Sequence, residues 1–149
     1  ARVMQWHVIA MFAPSFFTGA LVSRFGVRVM ILLGGLLYGL VVAFALAGTS
    51  FWHYFIALFL LGLGWNFLFV TGTTLIARIA RPAERGRVQG VSDLVIFLFV
   101  ALASLSAGIL HSAIGWDGLV FSCLVPIGLI LVMLLATPQA QLDAEKDSD

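Results

Sequence analysis

A few polar side chains interrupt the apolar runs of this 149-residue sequence at positions where they could do chemistry. Asn66 stands in GLGWNFLFVTGTTL. Its amide offers two donors and an acceptor, which suit either a solute in a cavity or a hydrogen bond between helices. His7 is either a proton carrier or a boundary residue. Asp93 is the one acid clearly inside an apolar run, placed to pair with an arginine or to carry a proton or substrate. Arg24 and Arg28 lie in GALVSRFGVR, next to Gly19 and Gly26, where guanidinium groups could hold carboxylates or helix carboxyl ends.

Other chemistries lack their residues. No Gly-x-Ser-x-Gly elbow, His-Glu-x-x-His pair or paired intramembrane aspartates occur, so an enzyme is not expected. His7, His53 and His111 follow the ends of apolar runs rather than a ligand spacing, so no metal or cofactor is expected. Cys123 is alone, which excludes an internal disulfide. A net charge of +1 without a recognition-helix pattern argues against nucleic acid as a partner.

The elements that must hold these residues are membrane helices. The chain is 62% hydrophobic and 10% charged, against about a quarter charged for a soluble domain. Between Met30 and Ala77 there is no Asp, Glu, Lys or Arg. A bilayer core takes about 20 apolar residues per helix, and that stretch holds two such lengths. Five spans are expected, at 4–22, 29–48, 52–77, 89–111 and 119–137. The runs are too long and too uniformly apolar for barrel strands. Residues 1–138 thus read as an all-α, polytopic helix bundle in the lipid bilayer, and 139–149 as a disordered tail. The chain opens on Ala1 without a separate signal segment, which suggests that sequence precedes it.

Arg24 and Arg28 fall in the first connection, Arg78, Arg81, Arg85 and Arg87 in the third, and Lys146 in the tail. Seven of the eight basic residues share one side, which the positive-inside rule makes cytoplasmic, with the amino end outside and the carboxyl end inside. Trp52, His53, Tyr54 and Trp116 then mark the outer interface. Gly35-x-x-x-Gly39 is a possible helix-approach motif.

Placing residues at 100° intervals sorts the spans. In the first, His7, Met11, Pro14 and Thr18 share a face, with Ser15 at its margin. Gly62, Asn66, Phe69 and Thr73 align in the third. The fourth aligns Asp93, Phe97, Ser104, Gly108 and His111. The second and fifth have no such stripe. Spans one, three and four are therefore expected inside, and His7, Met11, Ser15, Thr18, Asn66, Phe69, Thr73 and Ser104 are the candidates to line a substrate cavity.

GALVSRFGVR resembles the loop signature of major facilitator superfamily transporters, G-x-L-(small)-D-R-x-G-(R/K)-(R/K). Gly19, Leu21, Arg24, Gly26 and Arg28 match; Ser23 replaces the acid and Val27 one basic residue. With QWHVIAMFAPSFFTG, GLGWNFLFVTGTTL and RPAERGRVQGVSD, the resemblance covers about residues 4–137 and points to the carboxyl-terminal half of a bacterial member. The spans would then be helices 8 to 12 of an incomplete six-helix half, and the missing amino-terminal half a partner. The resemblance also implies cavity helices 8, 10 and 11, the division that the polar stripes give.

The expectation is a fragment of a secondary carrier in the bacterial inner membrane, moving a small-molecule substrate by alternating access. A non-transporting membrane subunit is the alternative, and a membrane enzyme a weaker one. Gly19, Arg24, Gly26, Arg28, Glu84, Arg85 and Asp93 would form the cytoplasmic gate, with Asp93 supplying the acid that Ser23 does not.

Overall fold

The computed structural model describes residues 2–137, and every regular element among them is a helix. The tail expected to be disordered, with Lys146, lies outside the described residues. Helix α1 spans Arg2–Phe12, α2 Ser15–Ala47, α3 Phe51–Ile79, α4 Arg85–Ser122 and α5 Leu124–Ala136. Three helical stretches are long and apolar enough to cross a bilayer: Ser15–Ala47, Phe51–Ile79 and Arg85–Ala136.

Two of these stretches turn back on themselves at one glycine each. Gly26 has φ 84° and ψ 161°, and Gly115 has φ 72° and ψ −176°. Both lie in a region open in practice to glycine alone. Thr18, eight residues before Gly26, reaches Asn66, while Gly34, eight residues after it, reaches Leu68. Points equally far on either side of Gly26 thus meet α3 at nearly the same height, so the chain reverses there. The six-residue connection expected at Ser23–Arg28 is in fact one residue with helix on both sides. Gly115 does the same where a loop at Ser112–Gly118 was expected: Val120 packs with Val42 and Ala45, and further along Leu131 comes to Gly35.

Five helical passes result: 2–25, 27–47, 51–79, 85–114 and 116–136. They form an all-α membrane helix bundle, with α3 between the first two passes. That position depends on two glycines two positions apart, Gly62 and Gly64. A Cβ on Gly62 would lie 2.5 Å from the His7 carbonyl oxygen and 2.9 Å from Ala10 Cβ. A Cβ on Gly64 would lie 2.9 Å from the Tyr38 ring and 3.4 Å from Leu37 Cβ. At 100° per residue these two positions face opposite sides of the helix, so each neighbour approaches its own bare backbone. Gly34 meets Leu68 from the other side. Gly39, half of the expected approach motif, has open space around it, and Gly35 makes ordinary contact with α5. Close approach uses Gly34 and Gly64 instead.

Val22, Val27 and Met30 form a core where the chain reverses, covered by Phe67 and Leu75 of α3. The second pass, expected at the periphery, thus has one well-buried side. The fourth, expected inside, is the most exposed: Leu94, Leu98, Phe99, Leu105 and Ile109 are each more than half uncovered.

Candidate functional site

The polar residues of the first and third passes meet around a break in the first. Pro14 has no N–H to give the Ala10 carbonyl and disfavours helix at Ala13, so α1 stops at Phe12 and α2 restarts at Ser15. Asn66 answers the break from across the interface. Its Nδ2 donates to the Met11 carbonyl at 2.7 Å. Thr18 Oγ1 lies 2.6 Å from Asn66 Oδ1 and 2.9 Å from the Pro14 carbonyl, so its one proton is shared between two acceptors. Nearer the amino end, His7 Nδ1 donates to the Leu58 carbonyl at 2.7 Å. Asn66 is 2% exposed and Thr18 0%. The sequence left Asn66 open between a cavity and an interhelical bond, and the structure supplies the bond.

Such bonds contribute about 0.6–2 kcal/mol each within a membrane. Asn66→Ala is expected to lower unfolding stability in detergent by about 2 kcal/mol, because the Met11 carbonyl is then left without its donor. Thr18→Val should lose less, since Asn66 keeps its bond to Met11. Equal losses in a denaturation series would contradict this division.

The other cavity candidates are dispersed. Ser15 Oγ donates to the Phe12 carbonyl at 2.5 Å, and Thr73 Oγ1 to the Val70 carbonyl at 3.0 Å, both bonds back along the helix. Met11 lies at the Asn66 junction, and Ser104 is exposed on α4. An apolar cavity of about 360 Å³ lies elsewhere, between α2, α3 and the passage from α4 to α5, with Tyr38, Tyr54 and Trp116 in its wall. None of the eight candidates lines it.

The expected acid of the gate is engaged on its own helix. Asp93 Oδ1 accepts from Gln89 Nε2 at 2.9 Å, one turn earlier, an i,i+4 pair that needs little ordering. None of the described arginines lies within ion-pair distance of Asp93 or Glu84. Arg24 instead places its guanidinium 5.4 Å from the centre of the adjacent Phe25 ring. The pairing of Arg24 or Arg28 with Asp93 is therefore not formed in this conformation. Gly19, Glu84 and Arg85 make no gate contact either: Gly19 has open space around it, and Glu84 and Arg85 are exposed at the start of α4. Gly26 has the clearest structural role of that group, as the reversal itself.

One residue absent from the sequence-based set is Trp65. It lies fourteen residues from each end of α3, and its ring stacks on Phe69 at 5.7 Å with 13° between planes. Phe69 in turn meets Phe97 of α4 at 6.2 Å, and Phe97 is 55% exposed. Sorting polar residues alone passed over it; a tryptophan at mid-span, away from the interfacial belts that tryptophan favours, was the available signal.

Apolar helices reversing on single glycines, with polar groups bonded across their interfaces, define a polytopic integral membrane protein. The chain belongs to the Major Facilitator Superfamily, whose family model matches residues 3–149. It is 43% identical to the riboflavin transporter RfnT of Brucella anthropi over 132 residues, 89% of this chain and 33% of that protein. It is 40% identical to the uncharacterized MFS-type transporter YdeG of Bacillus subtilis over 136 residues, 89% of this chain and 30% of that one. YddS, another uncharacterized MFS-type transporter of Bacillus subtilis, is 37% identical over 138 residues, with the same coverage. The chain thus spans about a third of the length of the curated relatives it matches. No solved structure matches it significantly.

Proposed function

We propose that this chain supplies the carboxyl-terminal part of a secondary active transporter in the bacterial inner membrane, which moves a small solute by alternating access. The match of its family across residues 3–149 carries this reading. The uncovered apolar side of α4 supports it: a helix so exposed among the described residues suits a surface completed by the amino-terminal half. The five passes are then five membrane spans. The arginines at 24, 28, 78, 81, 85 and 87 put Gly26 and the start of α4 in the cytoplasm, with the amino end outside. Arg24 and Arg28 are the cations of a cytoplasmic gate whose acid is supplied by Asp93 or Glu84 in another state of the cycle.

The solute to test first is riboflavin, named for the 43% identical relative. The complete carrier in proteoliposomes is expected to take up riboflavin saturably, whereas residues 1–149 alone give no flux. Absence of gradient-driven uptake by the complete carrier, for riboflavin and for a panel of other small solutes, would overturn the reading in favour of a non-transporting subunit. Uptake that excludes riboflavin but accepts another solute keeps the carrier and removes the cargo.

A further inference from the structure

We propose that the acidic stretch 143–149 docks on the arginine-rich end of the helix bundle, with its carboxylates on Arg28 and Arg24 first and on the arginines around the α3–α4 connection beyond them.

The docking surface is made where four helix ends meet. The first pass turns at Gly26, α3 stops at Ile79, α4 starts at Arg85 and α5 stops at Ala136. Successive passes alternate in direction, so these ends share one side of the bundle. Leu75 of α3 packs against the Val22, Val27 and Met30 core, which brings Arg78 and Arg81 to the height of the Gly26 turn. Arg24, Arg28, Arg78, Arg81, Arg85 and Arg87 are thus gathered at one end, and between residues 24 and 87 the one acid is Glu84. Five of these arginines are exposed and Arg28 is half-buried.

The geometry of α5 brings the acids to that surface. α5 runs antiparallel to the second pass: Val120 packs with Val42 and Ala45, and further along Leu131 comes to Gly35. Continued at the common rise of two helices, Thr137 comes level with Val29 and Arg28. Residues 138–149 then carry Asp143, Glu145, Asp147 and Asp149 against Lys146 alone, a net charge of −3. The step from Thr137 to Asp143 spans about 20 Å when extended. Packed helix axes are about 8–10 Å apart, so the acids reach across the ends of neighbouring passes.

Tethering favours this occupant over others. A segment held by so short a connection meets the surface at an effective concentration in the millimolar range, and any other acid of the carrier competes with one already in place. Single exposed ion pairs are weak, but several carboxylates on one strand act together against several guanidinium forks. A tail carboxylate on Arg24 or Arg28 takes the cation that the proposed gate gives to Asp93 or Glu84, so tail and gate acid exclude each other. That consequence alone rests on the carrier reading above.

The test is a distance, measured by double electron–electron resonance between spin labels in the complete carrier, without other cysteines, in nanodiscs that contain phosphatidylglycerol. One label is placed at Ser23→Cys, exposed and adjacent to Arg24, and the other at Ser148→Cys. A narrow population of short distances is expected. It should be lost when Asp143→Asn, Glu145→Gln, Asp147→Asn and Asp149→Asn are combined, and also at about 1 M salt, where the screening length falls to ~3 Å. Arg28→Gln should deplete it more than Arg87→Gln, because α5 ends beside Arg28. A label at Thr49→Cys, at the far end of the second pass about 30 Å away, should stay remote from Ser148→Cys. Melting temperatures identify any variant that fails to fold, in which case the salt series on the unaltered charges decides. No short population in the folded carrier, as when lipid headgroups hold the arginines, would overturn the docking. So would a short population indifferent to tail charge and salt. The distance needs no flux: the contact in a protein that moves no solute keeps the docking and removes the carrier reading, and a carrier without the contact does the reverse.

Discussion

Gly62→Ala is expected to lower the unfolding free energy by about 3 kcal/mol, a large change for a single methyl group. The added carbon would sit 2.5 Å from the His7 carbonyl oxygen, 2.9 Å from Ala10 Cβ and 3.2 Å from the Met11 nitrogen. Two of those three atoms are backbone, so no side chain can rotate away and the helices must separate. Separation also stretches the His7–Leu58 and Asn66–Met11 bonds, which lie about a turn from the contact. The control lies on the same helix. Gly72 has nothing within 4 Å of the place an added methyl group would take, and Gly72→Ala should be neutral or stabilise by up to about 1 kcal/mol through helix propensity. Thermal melts of the two variants in one detergent should therefore move in opposite directions or leave Gly72→Ala unmoved. A Gly62→Ala protein as stable as wild type would show that the first and third passes do not touch as described.

Gly26→Ala is the second large effect. At φ 84° and ψ 161° an L-residue with a Cβ is strained wherever its neighbours are, and such conformations cost on the order of 1–3 kcal/mol. There is open space around Gly26, so the loss comes from the backbone and not from crowding. Serine, alanine and asparagine should accordingly differ little from one another, whereas a packing defect would grow with side-chain volume. Gly19→Ala, seven residues earlier and also uncrowded, should lose nothing. A graded loss from alanine to valine to phenylalanine at position 26 would transfer the effect from strain to packing.

Much of the bundle was legible because bilayers allow few solutions. The charge-free stretch from Met30 to Ala77 needed two helices, and the connections fell within a few residues of Gly26, 48–50, 80–84 and Gly115. The site was less legible, for a physical reason. Helical periodicity says that Asn66, Gly62 and Thr73 share a face, but not what that face meets. Water and a neighbouring carbonyl satisfy an amide equally well, and the break at Pro14 leaves the Met11 carbonyl of the first pass to Asn66. Two stripes read as walls of a cavity were in part the two sides of one seam. The break at Pro14 was visible in the sequence as a proline in an apolar run; that Asn66 faces it was not, because it depends on the relative height of two helices. Asp93 was matched to distant arginines by charge alone, while Gln89, one turn away, needed no tertiary arrangement at all. The approach glycines were sought as a spaced pair on one helix, whereas Gly34 and Gly64 are on two.

The tight link of one residue at Gly26 and the three-residue connection at 48–50 bear on how the chain is made. Residues 2–79 contain both partners of every bond in the Asn66 seam and both faces that pack on Gly62 and Gly64. All of these residues leave the ribosome before Arg85, so the first three passes of this chain can lock together while α4 is still to be inserted. These three passes have short connections to close and little entropy to lose in closing them. The helix that carries Phe97 is thus made after a set of contacts that need none of its residues.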